Sequence, residues 1–259
     1  MQSARVHTTP MPPITLIGDG RVGGSLARSL RAAGAEAELV GREGLGDSRP
    51  EVVLLCVPDA EIESACESAI AAAPEGSLRF VGHTSGATTL GALAAAGDAG
   101  AETFSLHPLQ TVPDAGADLT GAPVAIAASA PAAADLARRI ADACQMTPFD
   151  VPEESRAAYH AAAAIASNFL VALESSAEEL LAAAGIENGR ELLAPLVLRT
   201  AANWAERGPD ALTGPIARGD EATVARHLDA IAATDPALEQ LYRTLAERTR
   251  EVAAAGGRR

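Results

Sequence analysis

The chain lacks lysine altogether, because all 20 of its basic residues are arginine. This absence excludes chemistry that needs a lysine amine, such as Schiff-base formation or a lysine-containing phosphate loop. Bases are also outnumbered by 34 acidic residues, which gives a net charge of −14 at pH 7. Because contacts to nucleic-acid phosphates require a basic surface, a nucleic-acid partner is not expected.

Aromatic residues and cysteines are scarce as well. Aromatics make up 3% of the 259 residues, whereas hydrophobic residues make up 48%. The chain can therefore bury a core, built mainly from Ala, Leu, Val and Ile. The three cysteines, Cys56, Cys66 and Cys144, match no zinc or redox spacing, which favours a reducing cytoplasm.

No segment is expected to lie in a membrane or to direct secretion. Residues 1–12 lack the apolar centre of a signal peptide and are expected to form a disordered lead. The longest uncharged stretch, 157–173, is too short and too polar to span a bilayer. These features predict a soluble, cytoplasmic protein.

The order of apolar patterns predicts two domains. Strand patterns alternate with helical ones in the first half, at 14–17, 38–40, 52–57, 78–82, 103–106, 124–127 and 146–151. This alternation predicts an α/β fold with a doubly wound parallel sheet over 13–152. Only helical patterns follow, starting with one long helix over 153–184 that has only small interruptions. We therefore predict an all-helical domain for substrate binding and dimerisation over 153–255, with a tail at 256–259.

The first strand runs directly into a glycine-rich motif, Gly18-Asp19-Gly20-Arg21-Val22-Gly23. This GxGxxG pattern stands between a strand and a helix, as a dinucleotide site requires. Its glycines permit a tight turn, close approach to a pyrophosphate and close helix packing, while the helix presents free N–H groups. The motif predicts a Rossmann domain whose six motif residues contact the cofactor.

The end of the second strand indicates which dinucleotide binds. Arg42 lies where NAD enzymes carry an acid for the ribose 2′-hydroxyl. A guanidinium suits a 2′-phosphate instead, so the sequence favours NADP(H), with Glu43 as the competing acid. Val57 and Pro58 follow the buried third strand and are expected beneath the cofactor.

Histidines close two of the predicted strands. His83 and His107 should both lie at the C-terminal edge of the sheet, where ligands bind, with Ser85 beside them. No two histidines have HxxxH spacing and no acidic cluster accompanies them, so no metal site is expected.

Further polar candidates lie on the helical half. His160, Ala164 and Asn168 are spaced by four residues, so one face of the predicted long helix carries them. This face either supports helix packing or meets substrate between the domains. Thr213 and Arg218 lie in a Gly- and Pro-containing loop that binds an anionic substrate or only shapes a turn.

Six segments together resemble a known family: ITLIGDGRVGGSLA, LLCVPD, HTSGA, SLHPLQ, YHAAAAIASNFLVAL and ALTGPIARGD. They are similar to bacterial Rossmann-like proteins with a helical C-terminal domain of unknown function, family 2520. The resemblance covers residue 14 to about 245. The wider group contains 6-phosphogluconate, 3-hydroxyacyl-CoA and prephenate dehydrogenases, ketopantoate reductase and pyrroline-5-carboxylate reductase. It implies a Rossmann domain, a helical domain and often a dimer.

The resemblance also implies residue roles. His107-Pro108 resembles the His-Pro of prephenate dehydrogenases, in which the histidine is the acid–base, and Asn168 resembles a substrate-binding helix asparagine. Ketopantoate reductase carries lysine four residues before that asparagine, whereas this chain has Ala164. The proton must therefore come from His107 or His160, and the ordinary pKa of histidine suits neutral pH.

We therefore expect an NADPH-dependent reductase of a small carbonyl substrate, for example a 2-keto acid such as ketopantoate, acting as a homodimer. The expected catalytic residues are His107, Asn168 and His160. The expected substrate-binding residues are Ser85, Thr213 and Arg218. An imine reductase of the same class and a non-catalytic NADPH-binding sensor or partner protein are the open alternatives.

Overall fold

A computed structural model describes residues 10–41, 44–46 and 49–256. The contacts divide the chain into two compact units, of which the first ends at Ile165 and the second begins at Ala166. The sheet ends close to the predicted boundary at residue 152, while the first compact unit continues beyond it. The predicted domain limits themselves stay predictions.

The first unit is built on one sheet that has seven strands in the described part of the chain. The strands are β1 (Ile14–Ile17), β2 (Ala37–Val40), β3 (Val52–Leu55), β4 (Phe80–His83), β5 (Glu102–Pro108), β6 (Pro123–Ala128) and β7 (Thr147–Asp150). Their order is β2-β1-β3-β4-β5-β6-β7. Neighbouring strands are parallel except β5 and β6. The predicted α/β doubly wound fold is confirmed.

The antiparallel pair β5–β6 is a departure from the predicted parallel sheet. A parallel neighbour requires a crossover connection, usually a helix. The connection 109–122 contains no helix, so the chain returns directly and β6 runs against β5.

Helices cover both faces of the sheet. On one face lie α1 (Arg21–Ala32) and α4 (Pro131–Ala143), and on the other lie α2 (Ile62–Ala72) and α3 (Ala94–Asp98). Because successive strand residues point to opposite faces, Leu16 and Leu54 join the first core, whereas Ile17 and Leu55 join the second. Each such buried side chain contributes about 1.5–3 kcal/mol of hydrophobic stabilisation.

The helical stretch predicted over 153–184, with only small interruptions, is broken at one place into two helices. The backbone breaks at Ser167, where φ is −123° and ψ is −71°. Helix α5 (Arg156–Ala166) precedes the break and α6 (Asn168–Ala183) follows it. The alanine-rich pattern suits a helix on both sides, so periodicity does not reveal the interruption.

All the regular secondary structure in the described residues of the second unit is helical. Beyond α6 it contains α7 (Gly189–Arg207), α8 (Pro215–Arg218), α9 (Glu221–Thr234) and α10 (Pro236–Gly256). Val224, Ile231 and Ala246 are buried, but larger apolar side chains such as Phe169 and Trp204 are mostly exposed. None of these helices, nor any other in the described ranges, combines the length and hydropathy of a membrane-spanning segment.

Candidate functional site

The glycine-rich turn between β1 and α1 packs closely against the end of β3. Gly18 has φ +110°, and a Cβ there would overlap the carbonyl oxygen of Cys56. A Cβ on Gly23 would overlap the carbonyl oxygen of Gly18, while Asp19 is exposed to solvent. The two glycines therefore allow a turn that other residues would strain.

The N-terminus of α1 is open to an anion. Gly20 is the N-cap and supplies no side-chain cap, and the first helical bond joins Gly24 N–H to the Gly20 carbonyl at 2.9 Å. The N–H groups of Arg21, Val22 and Gly23 therefore have no partner within the helix. A Cβ on Gly20 would meet nothing within 4 Å. The free N–H groups and the open space at Gly20 together fit a dinucleotide pyrophosphate.

The connection between β5 and β6 crosses the first turn of α1. The hydroxyl of Ser25 donates to the carbonyl oxygen of Asp114 at 3.2 Å. A Cβ on Gly24 would lie 2.6 Å from the Cβ of Ala115. The sequence analysis missed Gly24, because the motif ends one residue earlier and no local pattern brings residue 115 to this helix.

A cavity of about 560 Å³ lies beside the ends of β1 and β3. Residues 44–46, Val57 and one side of α2 line it, and the neighbouring Pro58 is exposed. Strands β2 and β3 lie on opposite sides of β1, so the strand order reverses between β1 and β3. Sheets of α/β proteins bind ligands at such a point. Arg42 and Glu43 lie outside the described residues, so the preference for NADP(H) stays a prediction.

His107, at the end of β5, is surrounded by residues from α5 and from the loop after β4. Its Nδ1 lies 2.7 Å from Oη of Tyr159. The ring of His160 packs edge-on, with centroids 5.8 Å apart. A Cβ on Gly86 would lie 2.6 Å from His160 Cδ2 and 2.9 Å from His107 Nε2. The structure thus brings two predicted histidines together and adds Tyr159 and Gly86, which the sequence analysis missed.

A buried arginine fixes α5 to the strand ends. The side chain of Arg156 is 0% exposed, and its Nη1 donates to Oγ of Ser105 at 2.8 Å. Its Nη2 donates to the carbonyl oxygen of Ser85. The carboxylate of Glu153 lies 3.9 Å from Nη1 and accepts the N–H of Leu90 at 2.7 Å. These contacts hold the first turn of α5 against both β5 and the loop that contains Gly86.

Burial determines the protonation states of His107 and Tyr159. It lowers the pKa of His107 to about 4, with His160 and Arg156 acting in the same direction and Asp59 opposing them. Burial also raises the pKa of Tyr159 to about 12, against the positive charge of Arg156. At neutral pH both groups are therefore neutral, and the ordinary histidine pKa assumed from the sequence does not apply to His107.

The hydroxyl of Ser85 supports the turn at Gly86. It accepts the N–H groups of Ala87 at 3.2 Å and Thr88 at 2.9 Å. Ser85 itself is buried, so its direct role is to shape the loop beside His107. Its contact with a substrate stays a prediction.

The remaining predicted residues belong to the second unit. Asn168 begins α6 beyond the break at Ser167, so the helical spacing that predicts a face shared with His160 does not apply. Thr213 and Arg218 are exposed, before and within α8. Their roles stay predictions. Within the described ranges, no group of three His, Cys, Asp or Glu side chains is placed to hold a metal ion.

Two family descriptions match this chain. Residues 44–108 match a Rossmann-like domain, and residues 122–249 match the domain of unknown function DUF2520. The expected family is therefore confirmed. No curated protein matches the chain.

Solved structures share the fold along almost the whole chain. A candidate NADP oxidoreductase from Bacteroides fragilis has a TM-score of 0.77 and 24% identity, covering 93% of this chain and 98% of that one. Protein TM1727 from Thermotoga maritima has a TM-score of 0.76 and 22% identity, covering 95% and 100%. A reductive aminase from Aspergillus terreus, in complex with NADPH and ethyl-5-oxohexanoate, has a TM-score of 0.65 and 16% identity, covering 95% and 98%.

The buried His83 predicts a loss of stability in acid. Burial, and then Arg156, lower the pKa of His83 to about 4 from the usual 6.5. Between pH 6.5 and pH 4 this ring is therefore protonated in the unfolded chain but neutral in the folded one. The free energy of unfolding is thus at its full value above pH 6.5 and falls as the pH is lowered toward 4. The contribution of this one ring is on the order of 3 kcal/mol.

The variant His83→Asn isolates that contribution. Nδ1 of His83 accepts the N–H of Ser85 at 3.2 Å, and an asparagine oxygen can take its place without titrating. We expect the free energy of unfolding, measured with urea at pH 7 and near pH 4.5, to fall less in the variant than in the wild type. Equal losses would contradict the neutral, buried ring.

Proposed function

Because the chain combines a Rossmann-like domain with a DUF2520 domain, we propose that it is an NADP(H)-dependent oxidoreductase acting on a small carbonyl substrate. One observation carries the proposal: the open N-terminus of α1 and the His107 cluster lie at the same edge of one sheet. Strands β3 and β4 separate β1 from β5, which carries His107, so these two strand ends are about 14 Å apart. An extended dinucleotide held at the turn reaches that far.

The roles follow from this placement. The bound nicotinamide would supply or accept a hydride. Residues 18–23 hold the pyrophosphate, and Val57 and Pro58 lie below the cofactor. Nε2 of His107 has no hydrogen-bond partner among the described residues, so it can donate a proton to the carbonyl oxygen in reduction or remove it in oxidation.

A 2-keto acid such as ketopantoate is the proposed substrate class. Among the proposed substrate contacts, Asn168 would orient the carbonyl, and Ser85 and His160 would supply further contacts. Because the chain has no lysine, arginine is the side chain that remains to bind a carboxylate, and Arg218 with Thr213 takes this role.

An imine is the second candidate substrate. The fold similarity to the reductive aminase supports it. Reduction of a C=N bond requires the same hydride and one proton, which His107 can supply at the same position. A non-catalytic NADPH-binding sensor, in contrast, would bind the cofactor without turnover.

Oxidation of NADPH by the purified full chain tests the function, with small 2-oxo acids and cyclic imines as substrates. We expect turnover with one class, and a kcat about 10²–10⁴-fold lower in His107→Gln because the proton donor is lost. NADPH affinity of that variant should stay unchanged. Tight NADPH binding with no oxidation of any substrate would contradict the enzyme proposal and support the sensor.

The cofactor preference depends on Arg42. In Arg42→Ala we expect NADPH to bind about 10–100-fold more weakly, because a charge-assisted contact to the 2′-phosphate is lost. NADH binding should change little, and Arg28→Ala, which removes an exposed arginine from α1, should change neither. Equal losses for NADPH and NADH in Arg42→Ala would refute the 2′-phosphate contact.

We also propose that the protein forms a homodimer through the second unit. Large apolar side chains on α6 and α7 are exposed to 58–71%: Phe169, Val171, Leu192, Leu196, Leu198 and Trp204. Apolar surface on this scale is rare on monomers and marks an interface. A second copy is the partner that the family resemblance implies.

The variant Leu196→Glu tests the dimer, since a charge on α7 is costly to bury at an interface. We expect light scattering to give the dimer mass for the wild type and the monomer mass for the variant. Ala225→Glu, at an exposed position on α9, is the matched control and should remain dimeric. A monomeric wild type, or a dimeric Leu196→Glu, would rule out this interface.

A further inference from the structure

The chain contains only two tyrosines, and each hydroxyl lies 2.7 Å from Nδ1 of a histidine. Tyr159 pairs with His107 in the candidate site, whereas Tyr242 pairs with His227 between α9 and α10. The Tyr159 ring also meets the edges of two neighbours, with its centroid 5.6 Å from that of His107 and 6.0 Å from that of Phe149. The phenol is thus held in place on both sides.

The tautomer of His107 decides which partner donates in the Tyr159–His107 hydrogen bond. A neutral imidazole carries one N–H, so Nδ1 either accepts from Tyr159 or donates to it. Oη of Tyr159 has no other hydrogen-bond partner among the described residues. Donation to Nδ1 would satisfy the phenol hydrogen, and the ring hydrogen of His107 would then reside on Nε2.

Nε2 of His107 faces Gly86 and has no hydrogen-bond partner among the described residues. Gly86 lies in front of it, so close that even a Cβ would lie 2.9 Å from Nε2. Only a glycine fits at this position, because a side chain would press against Nε2 and against the neighbouring ring of His160. The other ionisable groups that influence His107 are Arg156 on α5, His83 on β4 and Asp59 after β3.

We propose that Tyr159 holds His107 as the Nε2–H tautomer and passes its own proton to Nδ1 when the Nε2 proton leaves. This inference rests on the proposed reductase function. In the reaction the Nε2–H bond breaks and its proton joins the substrate heteroatom, while hydride adds to the neighbouring carbon. The Oη–H bond breaks and an Nδ1–H bond forms; afterwards water delivers a proton to Nε2 while the Nδ1 proton returns to the phenolate, which restores the Nε2–H tautomer and the phenol. The ring never becomes an imidazolium, and the nearby Arg156 stabilises the transient phenolate.

Nitrogen NMR of the cofactor-free full chain tests the tautomer without any turnover. Histidine labelled with nitrogen-15 shows which ring nitrogen carries hydrogen, and His107→Gln and His227→Gln assign the two signals. We expect His107 as Nε2–H in the wild type and as a mixture of tautomers in Tyr159→Phe, which keeps the ring contacts. Tyr242→Phe is the matched control and should alter His227 alone.

Turnover then tests the relay. Because Tyr159 acts through His107, it is a positioning residue, and we expect Tyr159→Phe to lower kcat about 10–100-fold with little change in KM. The acid limb of the pH profile of kcat/KM should move to higher pH in this variant. The reason is that the hydrogen bond from Tyr159, which the variant lacks, stabilises the neutral ring of His107. Tyr242→Phe should leave both unchanged.

The outcomes separate this inference from the proposed function. If His107 is the Nδ1–H tautomer in the wild type, or stays purely Nε2–H in Tyr159→Phe, the inference is wrong whatever the activity. If the tautomer depends on Tyr159 but no substrate is reduced, the positioning role stands and the reductase function fails. An unaltered pH profile in an active Tyr159→Phe variant would refute the relay.

Discussion

A single buried guanidinium holds the candidate site together. Arg156 is completely buried, and an isolated charge in that position would be strongly unfavourable. Its hydrogen bonds to Ser105 and to the Ser85 carbonyl, with the Glu153 carboxylate 3.9 Å from Nη1, compensate for part of the lost hydration, and these partners belong to separate segments of the first unit. Breaking such a network by removing one partner typically costs 3–5 kcal/mol, at about the scale of a domain's total stability.

The same arginine determines the direction of the next helical turn. Tyr159 and His160 follow it by three and four residues, so all three side chains project from one face of α5. Once Arg156 is anchored at the strand ends, that face is directed at His107. Besides burial, the positive charge of Arg156 lowers the pKa of His83 and of His107, and it favours a phenolate on Tyr159.

Much of the fold could be predicted because its signals are local. All seven strands were predicted to within two residues at each end, and the GxGxxG turn lies where the strand–turn–helix order requires. The Arg156 and Tyr159 contacts could not be predicted, since they join residues 51 to 71 positions apart and arginine is usually exposed. The break at Ser167 was missed for a different reason, because alanine-rich sequence favours a helix on both sides of it.

The distribution of aromatic residues has an optical consequence. The chain has one tryptophan, Trp204, which lies on α7 of the second unit and is 66% exposed among the apolar residues proposed to meet a second copy. Selective excitation of this indole therefore monitors the helical unit, while the sheet unit contributes no indole emission. A natural fluorophore thus distinguishes loosening of the helices from melting of the sheet, without any label being attached.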